Sequence, residues 1–394
     1  MHAICESCCK ADLLKLLATR STTVGTCSIC LNSNRQVIDT EERDFTLAIK
    51  SLIRYSFSEW DYHSKLGGES FETLLFSENP IFNLNPNLPP LDYEEFLLSF
   101  LEDIDSDQEI TLFSAYGREI YQYPAMRAIS EGDSPLVSDI ASDLRRRNHF
   151  LVETDNLEHF KKIQDYISVV VEPGTVWHRA RIGATKQASD GDFSPNGSSY
   201  YYEPHSDSEL GAPPVGTTSA GRLNRPGVSY LYLASDPDTA VAEIRPHPAE
   251  FVSLGEFSLS APQRIADLSH HRMADLFRND KELEILEIII SIEKALSTAA
   301  PPSDRHVYSL TQFLAETFRR LGFDGVKFRS TVGAGVNLVL FDPAIATWMP
   351  NSSRVVEVQR VVYEHIDRKL YDPQGEYAID LKAISRRAAA KKGT

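Results

Sequence analysis

Past residue 30 the chain contains no cysteine: all five stand at positions 5, 8, 9, 27 and 30. A disulfide-stapled secreted scaffold spreads its cysteines through a small domain, so this distribution excludes one. Long apolar runs are missing too. The most apolar helix-like stretch, 283–296, is interrupted by Glu284, Glu287, Glu293 and Lys294, which argues against a helical membrane span. The first residues lack the basic, apolar, small-residue order of a secretory leader. These absences together predict a soluble cytoplasmic protein with no membrane partner. Positive charge is in deficit: 40 Lys and Arg against 56 Asp and Glu leave a net charge of −16. That balance argues against a general nucleic-acid coat, while a local basic patch and a nucleic-acid contact stay open. No G-x-G-x-x-G follows a predicted strand, so the dinucleotide cradle of hydride-transfer enzymes is absent. What is present is a 394-residue chain, 42% hydrophobic and 10% aromatic, enough for two or three domains with sizeable cores.

The cysteines form two C-x-x-C pairs, Cys5/Cys8 and Cys27/Cys30, with eighteen residues between them. A two-residue gap lets both thiolates of one tight turn reach the same ion, and two such turns complete a tetrahedral sulfur site suited to zinc. Cys9 leaves a C-x3-C register open for the first pair. Four protein ligands leave no position for substrate, so the zinc is expected to be structural.

Residues 42 to about 165 read as mainly helical. Apolar residues recur at helical spacing over 42–57 and 93–104, a Pro- and Asn-rich connector covers 79–92, and further helices are expected over 138–147, with Ser138 as cap, and 156–166. The domain division that follows is 1–40 for the cysteine knuckle, 41–165 for a helical domain, 166–365 for a third domain and 366–394 for a basic, Ala-rich tail.

In the third domain GTVWHRARI predicts a strand placing Trp177, Arg179 and Arg181 on one face. A polar stretch, 187–209, reads as a long loop. The segment GRLNRPGVSYLYLASDPDTAVAEIRP, 221–246, reads as a turn at Pro226 and Gly227, a strand over 228–234 with Tyr230 and Tyr232 on one face, and a helix capped by Ser235 or Asp236 and stopped by Pro246. That unit carries Arg222, two tyrosines, Glu243 and Arg245. Glu243 sits in the apolar run TAVAEI; on composition alone it reads equally as a solvated residue, and the tyrosines as core. Near the C-terminal end, Ser309 and Gln312 form a capping-box pattern opening a helix with Phe313, Leu314, Phe318 and Leu321 toward a core, and Gly322 ends it. FDGVKFRS and VNLVLFDP then predict two strands around the loop 331–335.

The segment 221–246 resembles the central motif of the RES domain family, and the likeness extends over about 168–364. RES domains are NAD-consuming enzymes, best known as toxins of Xre–RES toxin–antitoxin pairs, with a fold like that of ADP-ribosyltransferase toxins. The resemblance implies an ADP-ribosyltransferase-like RES catalytic domain; with the four-cysteine zinc knuckle and the mainly α-helical domain read above it, the chain is expected to be α+β. It implies a pocket arginine at Arg179, with Arg181 as the second choice. Gly221-Arg222-Leu223-Asn224 matches the family's G-R-x-N, Tyr232 its pocket tyrosine and Glu243 its acidic residue, with Tyr230 beside them. Ser330 and Asn337 match its ligand-contacting serine and asparagine. Arg179, Arg222, Tyr232, Glu243 and Ser330 are thus the expected catalytic set, and Arg181, Gly221, Asn224, Tyr230 and Asn337 the expected substrate contacts. The implied substrate is NAD, with inorganic phosphate as co-substrate, yielding nicotinamide and ADP-ribose-1″-phosphate. Water or a protein acceptor would give a glycohydrolase or an ADP-ribosyltransferase. An antitoxin or regulatory protein is the implied partner, and a homo-oligomer stays open. Family members sometimes carry a HEPN-like helical region; the local counterpart of its nuclease pair is the tighter run Arg145 to His149. A non-enzymatic zinc-containing interaction protein is the competing class.

Overall fold

The computed structural model describes residues 2–78, 80–83, 109–113, 126–188, 200–298, 308–362 and 365. It is α+β. A small antiparallel sheet joins β1 (Ala3–Cys5), β3 (Arg35–Asp39) and β2 (Val24–Gly25) in that spatial order. Helix α1 (Asp12–Arg20) packs on it through Leu13, Leu14 and Ala18, and α2 (Arg43–Ser56) follows with Phe45, Leu47, Ile49, Leu52 and Ile53 buried. Neighbours at three- and four-residue spacing give α1 one apolar face on the core, whereas α2 is enclosed all round from Leu47 to Arg54.

Two helices of this half begin earlier than the sequence predicts. α3 covers Pro135–Asp143, because Pro135 fits a first helical position where no N–H is needed; Ser134, not Ser138, is at the cap position. α4 covers His149–Lys161, opened by Asn148 Oδ1 accepting from Phe150 N at 2.9 Å. The expected helix over 93–104 and most of the connector 79–92 lie outside the described residues.

The large sheet has nine strands. Its order is β13 (Ala346–Trp348), β9 (Phe251–Leu259), β5 (Val176–Ile182), β8 (Leu231–Ala234), β12 (Val336–Leu340), β11 (Gly325–Arg329), β10 (Gln263–Leu268) and β4 (Ser168–Val171), with β14 (Arg354–Glu357) also pairing β9. All pairs are antiparallel except β10–β11, whose parallel pairing needs a crossover. That crossover contains α6 (Asp280–Ser297) and α7 (Tyr308–Arg320); the short helix α5 (Pro237–Glu243) follows β8. The polar stretch 187–209 is not all loop: β6 (Thr185–Ala188) and β7 (Tyr200–Glu203) pair antiparallel.

Alternation along the strands divides the core. Leu231, Leu233, Leu338 and Leu340 join Trp177, Phe257 and Ile265 on one face. Val326, Phe328, Val339 and Tyr230 face the helices on the other. This second core runs without a break into the N-terminal half, through Phe160 to Ile4. The Phe160 ring meets Phe313 edge-on at 5.7 Å and Phe318 at 6.2 Å, so α4 and α7 share one aromatic cluster. Arg54 of α2 ties the same halves by pairing with Asp280 at 3.0 Å. Among the described residues no helix is long and apolar enough to cross a membrane.

Candidate active site and metal centre

The two cysteine pairs meet. Cys5, Cys8, Cys27 and Cys30 have ligand atoms all within 4.8 Å of one another, and Cys5 Sγ lies 3.7 Å from Cys30 Sγ. That separation is near the edge of about 3.8 Å implied by four sulfurs around zinc at about 2.3 Å. The Cys5 amide donates to Cys27 Sγ at 3.4 Å, a bond that favours a thiolate there. Cys9 stands apart: its thiol donates to Cys5 O at 3.5 Å, and burial pushes its pKa up to about 12. The C-x2-C register is the one the fold uses.

The main site lies where the large sheet loosens. β5 pairs with β9 over seven residues but with β8 at one position, His178 opposite Ala234. Beyond that point the strands splay, leaving a cavity of about 320 Å³. His178, Arg179, Ala180, Tyr232 and Ala234 line one side; Arg222, Glu243, Arg245, Tyr308, Phe328 and Asn337 complete it. Arg179 bridges the gap, donating from Nη1 to Tyr232 O at 2.7 Å. Burial pulls its guanidinium down to about 10, with Arg181 acting in the same direction, so it is still cationic at neutral pH.

The loop 221–224 forms the rim. Asn224 is buried and belongs to the loop's own framework: Nδ2 donates to Ser219 O (3.0 Å), Arg225 O (3.2 Å) and Val228 O (3.0 Å), and Oδ1 accepts from Tyr232 Oη at 2.9 Å. By taking the Val228 carbonyl it helps delay the strand, which starts at Leu231 and not at 228. Tyr232 Oη in turn accepts from Leu223 N at 3.1 Å, and burial holds the phenol well above its usual range. A Cβ on Gly221 would collide with Asn224 Oδ1 and lie 3.0 Å from Tyr232 Oη, so the tight corner needs glycine. Gln312 is not a helix cap; its amide donates to Gly221 O at 2.9 Å and Asn224 O at 3.1 Å. Arg222 lines the cavity but directs Nη1 at Leu296 O and Thr298 O, the carbonyls at the end of α6.

Glu243 occupies the last position of α5, opened by Asp236 Oδ1 accepting from Thr239 N at 2.7 Å. Its Oε1 accepts from Ser330 Oγ at 2.6 Å and from Asn337 Nδ2 at 2.6 Å. Ser330 is fixed by its own turn, accepting from Gly333 N at 2.9 Å and Val332 N at 3.2 Å. The loop after it is stapled to α5: Gly335 N donates to Thr239 Oγ1 at 3.0 Å and Val336 N to Ser235 Oγ at 3.0 Å. Two side chains from the far end of the chain thus hold one carboxylate oxygen and leave Oε2 directed by that grip, without a protein partner among the described residues.

Of the expected residues, Asn224 and Ser330 support the cavity without lining it, and two more fall elsewhere. Tyr230 is buried in the helix-side core, its ring 5.1 Å from Phe341, and does not line the cavity. Arg181 is exposed and donates to Glu209 O. Arg147 of the Arg-rich run pairs with Asp143 at 2.7 Å and Asp155 at 2.5 Å, and His149 meets Leu144 O at 3.0 Å. His178, Tyr308 and Phe328 line the cavity without having been singled out, and Arg245, noted only as part of the 221–246 unit, joins them. Phe328 is readable as the residue two before Ser330 on one strand face; His178 and Tyr308 leave no local signal. Arg245 is at φ 49°, a left-handed conformation that costs a non-glycine residue about 1–2 kcal/mol. A larger cavity, about 730 Å³, lies between α1, α2 and residues 271–275, away from all of these.

Residues 196–360 match the family model described as RES domain. Arg222, Tyr232, Glu243, Ser330 and Asn337 lie inside the match; Arg179 precedes it. No curated protein matches the chain. Among solved structures it is similar to the M. tuberculosis MbcT–MbcA toxin–antitoxin complex, at 14% identity over 50% of this chain and 91% of that chain, with a TM-score of 0.26. At that score the likeness carries no argument.

Proposed function

We propose that the RES domain this chain carries over residues 196–360 degrades NAD by breaking its nicotinamide–ribose bond. The observation that carries the reading is the carboxylate of Glu243, held by Ser330 and Asn337 at 2.6 Å each in a cavity that also presents Arg179 and Tyr232. The bond between ribose C1′ and the ring nitrogen breaks, its electron pair leaves with the ring as neutral nicotinamide, and C1′ becomes oxocarbenium-like. An anion near that centre stabilises it more than it stabilises neutral ground-state ribose, which is the condition for catalysis. Glu243 supplies the anion or orients the ribose hydroxyls, and Tyr232 supplies an aromatic wall for the nicotinamide.

The acceptor in this proposal is inorganic phosphate, one of whose oxygens bonds to C1′ to give ADP-ribose-1″-phosphate. Water as acceptor would give ADP-ribose and release a proton. Incubating the protein with NAD, with and without phosphate, and separating the products decides it. Loss of NAD at equal rates in both replaces phosphorolysis by hydrolysis; survival of NAD in both, with Glu243→Ala indistinguishable from wild type, refutes the enzyme reading.

In the same reading the four-cysteine cluster holds a structural zinc that joins the N-terminal strands. Residues 1–40, 41–165, 166–365 and 366–394 are proposed as knuckle, helical module, catalytic module and tail. The helical module is proposed to restrain or sense on behalf of a toxin or defence effector that depletes NAD, with an antitoxin or regulatory protein as partner. Its direct route to the site is α4: Glu153 pairs with Arg225, the residue that follows the 221–224 loop, and Phe150 lies 5.2 Å under the same guanidinium.

A further inference from the structure

Three arginines line the cavity, and their guanidinium groups are in different states. Arg179 spends Nη1 on Tyr232 O, in the gap between β5 and β8. Arg222 spends Nη1 on Leu296 O and Thr298 O, where it satisfies the end of α6. Arg245 is exposed, and among the described residues it makes no side-chain hydrogen bond or ion pair. Even Glu243, two residues before it and lining the same cavity, spends Oε1 on Ser330 and Asn337.

The backbone at Arg245 points the same way. α5 ends at Glu243, and Arg245 takes a left-handed φ of 49° with Pro246 next. That is the place where helices ordinarily carry glycine, which meets no Cβ penalty there. A residue before proline is also pushed out of the right-handed helical region, so the chain has little freedom to relax. Backbone strain kept at a cavity rim, beneath a side chain with no partner among the described residues, is the pattern of a residue held for a ligand.

We propose that Arg245 is the cation that takes the pyrophosphate of the dinucleotide, its free planar fork matching two phosphate oxygens, while Arg222 positions the 221–224 loop by tying it to α6. The assignment rests on the NAD reading given above. A guanidinium that binds a remote, non-reacting group contributes to substrate binding and little to the chemical step, so its loss appears in KM.

The test is steady-state kinetics of NAD loss for wild type, Arg245→Gln and Arg245→Gly, with ADP-ribose and nicotinamide as competing inhibitors. Both variants are expected to raise KM for NAD and Ki for ADP-ribose at least about tenfold, as loss of a charge-assisted bond does, with kcat within about threefold. Ki for nicotinamide, which carries no phosphate, stays unchanged, and Arg245→Gly melts no lower than wild type. Unchanged KM and Ki in both variants of an enzyme that degrades NAD overturns the assignment alone, as does a fall confined to kcat. A wild-type protein that neither degrades NAD nor binds ADP-ribose overturns the NAD reading beneath it.

Discussion

Replacing Tyr232 by Phe removes one oxygen and keeps the ring. That oxygen donates to Asn224 Oδ1 at 2.9 Å and accepts from Leu223 N at 3.1 Å. Both partners sit in the loop that shapes the rim, and Asn224 is itself 3% exposed. A buried polar group left without its partner costs about 1–3 kcal/mol, and access from the cavity keeps two such losses to about 2–3 kcal/mol together. For 394 residues the unfolding entropy is about 0.8 kcal/mol/K, so this corresponds to a fall in Tm of about 2–4 °C. Differential scanning fluorimetry of Tyr232→Phe reads it, with NAD turnover measured beside it. The expected outcome is a clear Tm loss with NAD turnover reduced about tenfold, against a loss of at least a hundredfold in Tyr232→Ala, which also removes the aromatic wall. A Tm within about 1 °C of wild type would show that the hydroxyl does not hold the loop. Turnover abolished in Tyr232→Phe at unchanged Tm would transfer the hydroxyl from scaffolding to chemistry.

Other outcomes are equally specific. Glu243→Gln keeps an oxygen for Ser330 and Asn337 but removes the charge, so kcat for NAD should fall by about a hundredfold while Tm moves little; retained kcat would remove the carboxylate from the reaction. Cys27→Ser should lose bound zinc by elemental analysis and lower Tm, and a chelator should do the same to wild type; one zinc per chain retained in the variant would refute the four-sulfur site. Burial raises the Glu287 pKa from 4.5 to about 7. The folded state therefore binds the extra proton between these values, stability falls as pH rises from about 4.5 to 7, and above 7 the charged form costs about 3 kcal/mol. Urea unfolding should then find Glu287→Gln more stable than wild type at pH 8, with the gap closing near pH 5; a gap independent of pH would refute the shift.

Resemblance to a family carried most of this site, and local pattern the metal cluster. Glu243, Ser330 and Asn337, on three separate elements, are singled out by the family resemblance and not by alternation, while the C-x-x-C spacing by itself marks the metal cluster. What the sequence could not reveal depends on approach in space. Nothing near Arg222 indicates that the end of α6 arrives beside it, and nothing near Asn224 indicates that three carbonyls will converge on its amide. Gln312 has the spacing of a cap, yet the 221–224 loop lies within its reach and offers two acceptors. Tyr230 stands one residue before β8 and turns into the helix-side core, while Tyr232 on the strand lines the cavity. The splay of β5 from β8, which creates the cavity, leaves no local signature in either strand.

The unbroken core between α4 and α7 bears on how the protein is born. During synthesis α4 and the strands around the cysteines leave the ribosome long before the large sheet is finished. Phe160 is made long before Phe313 and Phe318, so the aromatic cluster that joins the two halves cannot form until α7 has been made. Ser330 and Asn337, which grip Glu243, are made after it. A nascent or prematurely terminated chain therefore has the glutamate without its grip, and the pocket becomes competent only when β11 and β12 close the sheet.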